Sequence, residues 1–383
     1  MIHQATTRLL TILLVLAPIF IFAQGEEPEI NVAGIRFLDY GNKLPEDLLS
    51  SKSVVLLQIP PENRNSSIRA DWRPMAEEAH EIFMSTGIDV VAYYFMNDVI
   101  SGIEAGREFA AEMKERGIKN LIILSDVWVK IKGKEAERFV ILVTSFNGET
   151  TLMSNGQPAW KTQNKKLEKA LDKLKKETSR QRLVKENLLI SDYPELFRDI
   201  DIIKGRRSET YSNSLKVDKI AFAGFEIADI PENRPRGLIN NNIAKEAAKA
   251  NGIARGNNNK FNEILQQQYP FEYDATPSHP DEQALLNLGF SYVVYHLHTY
   301  GLSIKYLLDY EIEEGVSDFI TVKQQKGKTI LRNIPTESPV YKFYLKHLRT
   351  NDVYVGSRWD ADETWTEALK NFISNIRRDF DVR

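Results

Sequence analysis

Cysteine is absent from the 383-residue chain, and that absence removes several chemistries at once. No disulfide can staple the fold. No thiolate can serve as a nucleophile or metal ligand, and no lipid can be attached through a cysteine behind a signal segment. The fold must hold through its core, which is feasible because chains of this size bury roughly 75% of the surface exposed when unfolded. Net charge is nearly absent as well. Lys and Arg number 50 against 53 Asp and Glu, a formal −3, which excludes nucleic acid as a general partner and leaves only local patches for anions. Glycine-rich phosphate loops are missing, both G-x-G-x-x-G and Walker types. So are the G-x-S-x-G elbow and H-E-x-x-H. Nucleotide binding and the commonest hydrolase classes therefore lack their signatures.

Long apolar runs are scarce. The one that stands out covers residues 9–22, broken only by Thr11 and Pro18, with Arg8 before it and the small Ala23 behind it. A membrane-crossing helix needs about 20 apolar residues. The stretch 1–23 therefore reads as a cleavable export signal, and Gly25, Glu26 and Glu27 supply no charged anchor after it. The expectation is an exported protein, periplasmic or secreted, with no transmembrane segment in its mature chain.

What is present is an alternation of strand and helix patterns. In the first module, 25–190, strands are expected over 30–40, 54–59 and 89–95. A helix opens near Asp71 with Pro74 in its first turn, and Ser101 with Glu104 forms a capping box for a second helix that ends at Gly117. Long strands over 120–132 and 138–146 and a charged helix over 164–182 complete it. After a linker region, 191–214, the second module, 215–383, repeats the order. Strands are expected over 218–230, 271–275, 290–300, 303–312, 340–348 and 353–356, and helices over 239–250, 280–288 and 361–378. The polar stretch 254–268 reads as a disordered insertion.

Two local matches support internal duplication. Pro61-Glu62-Asn63-Arg64 follows one buried strand and Pro231-Glu232-Asn233-Arg234 follows its counterpart. Leu167, Ala170, Leu171 and Leu174 share the register of Trp365, Ala368, Leu369 and Phe372. The fold class is α/β, with an α+β-like layout: two tandem similar modules, each a mixed sheet with an antiparallel meander and helices packed on one face.

Three features could carry chemistry. His296 and His298 lie two apart on a strand, so both rings face one way, the spacing by which a strand offers two imidazoles to a metal. A third ligand would come from His347, His279, Asp281 or Asp274, and zinc is the default ion. Asn63 with Arg64, and Asn233 with Arg234, sit where buried strands leave the sheet, the usual place for ligands in α/β folds. Each Arg could hold an anionic group by a two-pronged contact. Between Lys161 and Lys185, ten Lys and Arg meet three acids, a basic helix face suited to an anionic surface. Alternation in 340–348 predicts a wet sheet face carrying Lys342 and Lys346 and a packed face carrying Tyr341, Phe343, Leu345 and His347.

In element order alone, each half resembles the small α/β modules of outer-membrane lipoprotein cofactors and of the amino-terminal domain of the Tol–Pal translocation protein TolB. That resemblance implies helices on one face of a mixed sheet and a role in contacting other proteins. It carries no residue over. The reading is a non-enzymatic binding or scaffold protein of the cell envelope, without a cofactor, contacting a protein, glycan or cell-wall partner. Its rival is a zinc hydrolase built on His296 and His298.

Overall fold

The computed structural model describes residues 38–382 apart from 62–65, 67, 132–133, 155, 187, 197–199, 227–237, 313–314 and 326–327. The signal stretch 1–23 and the four residues Asn63, Arg64, Asn233 and Arg234 lie outside the described residues.

The first half runs β1 (Asp39–Gly41), β2 (Lys52–Gln58), α1 (Arg73–Thr86), β3 (Asp89–Phe95), α2 (Met96–Val99), α3 (Ile103–Glu115), β4 (Ile118–Ile131), β5 (Lys134–Ser145), β6 (Pro158–Asn164) and α4 (Leu167–Arg180). The unbroken apolar run Val54–Leu57 makes β2 a central strand buried on both faces. Gly87, at φ +85°, ends α1 in the left-handed conformation that other residues adopt only with strain. Two short strands, β7 (Glu195–Leu196) and β8 (Arg207–Ser208), follow. The second half continues with β9 (Lys219–Ala223), α5 (Leu238–Gln268), β10 (Tyr273–Thr276), α6 (Glu282–Asn287), β11 (Phe290–Tyr300), α7 (Gly301–Leu307), β12 (Asp318–Gln325), β13 (Lys328–Pro335), β14 (Pro339–His347), β15 (Val353–Tyr354) and α8 (Trp365–Asp379).

The fold is α/β, with two large mixed sheets. One has the order β1-β6-β5-β4-β2-β3-β7 and the other β10-β9-β11-β14-β15-β8. Along β3-β2-β4-β5-β6-β1 the pairings are parallel, parallel, antiparallel, antiparallel and parallel. Along β10-β9-β11-β14-β15-β8 the same five senses recur. The second half differs by α7 and the β12–β13 hairpin, inserted between β11 and β14.

Helices cover the outer face of each sheet. Ala76, Ala79 and Phe83 of α1 and Leu167, Ala170, Leu171 and Leu174 of α4 pack on Val55, Leu57, Ile122 and Ile141. Phe261 and Leu265 of α5 and Leu369, Phe372 and Ile376 of α8 pack on Phe222, Val294 and Phe343. The inner faces meet in one shared core. There Val54, Leu56 and Tyr94 of the first half join Val293, Leu297 and Tyr344 of the second, with Phe109 and Met113 of α3, Leu285 of α6 and Ile304 of α7 between them. The expectation of helices on one face of each sheet is corrected: α1, α4, α5 and α8 cover the outer faces, and α3, α6 and α7 pack on the inner faces, because those faces are apolar too and meet in a shared core.

Several expectations are corrected. The strand expected over 303–312 is in part the helix α7, because Ile304, Leu307 and Leu308 satisfy helical spacing on the buried side while Tyr306 is exposed. The insertion expected to be disordered belongs to α5, which passes straight through Gly252. A glycine there costs about 1 kcal/mol, less than the burial of Phe261, Ile264 and Leu265 on its far side returns. The face of β14 expected to be wet is buried. Lys342 is fully enclosed and paired to Asp360 at 2.6 Å, and Lys346 points into the shared layer. The packed face stands as expected, with Phe343 and Leu345 buried and His347 against Tyr292 at 4.9 Å between rings. The capping box is not made. The N-cap of α3 is Gly102, without a side-chain cap, while the Ser101 hydroxyl has no partner among the described residues and Glu104 is drawn to Lys346 and Tyr344.

Candidate functional site

A groove of about 570 Å³ opens between the halves, with Gly224 and Phe225 after β9, Ser278 and His279 after β10, and His296 and His298 of β11 on one side. Ser101, Gly102 and Arg107 around the start of α3, with Thr150 and Thr151, form the other. The groove therefore lies outside the carboxyl ends of the parallel strands of the second sheet, where α/β folds place ligands.

Register sets the wall. His296 stands opposite Phe343 and His298 opposite Tyr341 on the β11–β14 ladder, so both imidazoles project from one face. The exposed His298 ring stacks flat on Tyr341, 3.9 Å between centroids at 5°. His296 is half-buried between Phe225, at 5.0 Å, and Phe343, at 5.4 Å. Burial, with the neighbouring His298 adding to it, pushes His296 down to about 4. His298 is shifted in the same direction, because Tyr341 covers one face of its ring and keeps water from that side. The His296 ring is thus a neutral hydrogen-bonding group at pH 7 rather than a cation.

The proposed third metal ligands are mostly committed elsewhere. His279 reaches the groove, where its Nδ1 shares a 3.0 Å hydrogen bond with Ser278 Oγ. Asp274 pairs with Lys219 at 2.7 Å, and Asp281 accepts the Gln283 and Ala284 N–H groups as the N-cap of α6. His347 lies four residues along β14 from the partner of His296, about 13 Å at the strand rise. Among the described residues no group of three or more His, Asp or Glu could hold a metal ion.

Behind the groove a buried polar network joins the halves. Lys346 bridges Glu104 of α3 and Glu282 of α6. Tyr344 donates to Glu104 and Tyr295 to Glu282, and Arg107 lies 3.3 Å from Glu282. Burial raises Glu104 despite Lys346. For Glu282 burial acts in the same direction, but Lys346, Tyr295 and Arg107 together hold it below the usual range.

A second cavity, about 300 Å³, lies at the carboxyl end of β3, lined by Tyr94 and Phe95 of that strand and by Leu302, Ser303 and Leu307 of α7. Arg69 is sandwiched between Phe95 and Tyr300, at 3.6 and 4.3 Å, and pairs with Glu337 at 2.6 Å. Asp98 accepts from Thr299 and Ser303, and its burial raises its pKa. Sequence reasoning missed both. An arginine after the first buried strand was the available signal, but Arg64 and Arg69 look alike on paper. Nothing in the pattern shows that β11 and α7 of the other half would enclose Arg69.

Of the ten basic residues from Lys161 to Lys185, nine are exposed, all but Lys161. Leu167, Ala170, Leu171 and Leu174 are buried beneath them. No helix among the described residues is long and apolar enough to cross a membrane. The chain matches no family model, no curated protein and no solved structure.

Proposed function

We propose that this is an exported, non-enzymatic binding protein of the cell envelope whose inter-half groove receives part of a protein or polysaccharide partner. The groove itself carries the reading. It is a concavity of about 570 Å³ walled by an exposed aromatic–imidazole stack, Tyr341 with His298. Such walls offer large, rigid contact area with polar tips, as binding surfaces favour. The hydrogen bond of His279 goes to its chain neighbour Ser278, His279 has no carboxylate partner among the described residues, and no group of three or more His, Asp or Glu among them could hold a metal ion. These features support binding over hydrolysis. The two halves are read as copies of one ancestral unit, which the common strand order and pairing senses support.

The test is capture from envelope extract by the full-length protein and by a His298→Ala, Tyr341→Ala variant. A protein or glycan retained by the first and lost from the folded variant supports the reading. Retention that ignores the variant, or no partner at all, overturns it. Stoichiometric zinc in the purified protein that disappears in a His296→Ala, His298→Ala variant would replace it with the hydrolase reading. The basic face of α4 favours a second contact, with an anionic envelope surface. It is tested separately by salt-sensitive binding to vesicles rich in anionic lipid.

A further inference from the structure

We infer that the groove between the halves is a saccharide site, in which a neutral sugar ring of a polysaccharide lies flat on the exposed imidazole of His298 and against the ring of Phe225. The inference rests on the groove being a binding site and names the class of partner that occupies it.

His298 stacks on Tyr341 with centroids 3.9 Å apart and planes 5° from parallel, so one face of the imidazole is covered. The residue is nevertheless exposed, and it lines the groove. Its exposure therefore belongs to the outer face and rim of the ring, a flat surface turned to the groove. Tyr341 backs that surface, and the His298 N–H fastens it to the other half by donating to the Ser101 carbonyl at 2.7 Å. Phe225 also lines the groove, half-buried, 5.0 Å from His296 and 4.9 Å from Trp365 between rings. Asn258 of α5 clamps it through the backbone. The Asn258 Oδ1 accepts the Phe225 N–H at 2.7 Å, and its Nδ2 donates to the Phe225 carbonyl at 3.1 Å. Gly224 makes room for this clamp, since a Cβ there would lie 2.7 Å from Asn258 Oδ1. The polar stretch 254–268 thus supplies the side chain that holds a groove ring in place, and rings fixed beforehand lose little freedom on binding.

A sugar ring matches such a surface. Its broad face is a set of C–H bonds, apolar and weakly positive, which settles on the negative face of an aromatic ring. Its rim carries hydroxyls that need hydrogen-bond partners. The groove offers them around its rings. Thr150 and Thr151 are exposed on the facing wall, and the Thr151 hydroxyl accepts from Asn147 while giving its own hydrogen to no acceptor among the described residues. His279, exposed beside the platform, engages only its Nδ1 among the described residues, with Ser278. Gly102 keeps the facing wall close, because a Cβ there would lie 2.7 Å from the His296 carbonyl oxygen and 2.9 Å from Leu297 Cδ2. Charge argues against an acidic sugar. Arg107 and Lys346 are answered by Glu282 and Glu104, and Glu226, exposed at the lining, repels an anion. Shape argues against a protein anchor. Anchoring side chains sink into closed, desolvated pockets, whereas His298 presents a flat and exposed face.

The test titrates the full chain with chitotetraose, cellotetraose and maltotetraose in turn, by calorimetry and by saturation-transfer NMR. At least one tetrasaccharide should bind saturably, with an affinity that added salt does not move because the ligand is neutral. Saturating the aromatic protons of the protein should then pass magnetisation to the C–H protons of a sugar ring. His298→Ala and Phe225→Leu should each weaken binding roughly fivefold or more, the scale of one stacked ring. His298→Phe, which restores a flat face, should bind roughly threefold tighter than His298→Ala. No saturable binding of any of the three sugars, or equal binding by the parent and both folded ring-removing variants, would overturn the inference. A protein partner whose capture still depends on Tyr341 in that event would leave the groove reading standing and remove this one alone. Loss of capture as well would remove both.

Discussion

Glu104 of the first half and Lys346 of the second form an ion pair inside the layer that the two sheets share, their side chains 5% and 7% exposed. Lys346 also reaches Glu282 at 3.1 Å. One ammonium thus answers two carboxylates from different helices. Removing one partner of a buried pair leaves an uncompensated charge and costs about 3–5 kcal/mol. Lys346→Met should therefore destabilise the protein by about 3 kcal/mol in urea, and adding Glu104→Gln should recover part of that loss. Additive losses in the double variant would show that the two groups do not act as a pair.

The same shared core makes a prediction about cooperativity. Trp160 belongs to the outer core of the first half and Trp365 to that of the second, while both outer cores rest on sheets joined through one inner cluster. Single-tryptophan variants reporting on each should unfold at one denaturant midpoint. Two separated midpoints would mean that the halves hold themselves up independently.

Gly102→Ala tests the close approach of α3 to β11. The new methyl meets a backbone oxygen at 2.7 Å, which a rotamer change cannot relieve. Overpacking of this kind typically costs about 1–3 kcal/mol, so the melting temperature should fall. Ala110→Gly in the same helix should also destabilise, but without moving the His296 and His298 ring signals. An unchanged melting temperature in Gly102→Ala would remove the argument for the close approach.

Acid and base act on two groups in opposite directions. Burial, aided by Glu137, pushes Asp126 up to about 7, and its Oδ1 is buried without a partner among the described residues. The folded state thus holds a proton that the unfolded chain releases near pH 4, and stability falls as pH rises between those values. Asp126→Asn should add on the order of 1–2 kcal/mol at pH 8 and nothing at pH 4.

For His296 the sign reverses. Its value of about 4 lies below that of an unfolded histidine, so its contribution is complete above about pH 6.5 and is lost as pH falls toward 4. His296→Asn should melt with a shallower dependence on pH across that window. An identical pH profile for parent and variant would contradict the assignment.

Local pattern carried much of the architecture. The apolar runs of 54–59 and 89–95 and the stripes of α1, α4 and α8 mark their own elements, because periodicity reports which face is buried. What stayed hidden depends on the other half of the chain. Lys342 and Lys346 alternate as solvent-facing residues should, and only the second layer of protein encloses them. Ser101 and Glu104 spell a capping box, and a lysine more than two hundred residues away takes the glutamate. The groove followed the same division. His296 and His298 were legible as a pair on one face, whereas Arg69, Asp98 and Gly102 owe their places to contacts that no local window contains.

The groove as the working surface is tested most directly by mapping where partners touch the protein in the cells that make it. A photo-reactive amino acid would be placed singly at Thr151 and His279, both exposed at the groove, and at Glu263, exposed on the outer helix α5. The account predicts one discrete adduct from Thr151 and the same adduct from His279, with none from Glu263. Adducts confined to Glu263, or silence at both groove positions while the protein is present and folded, would contradict it.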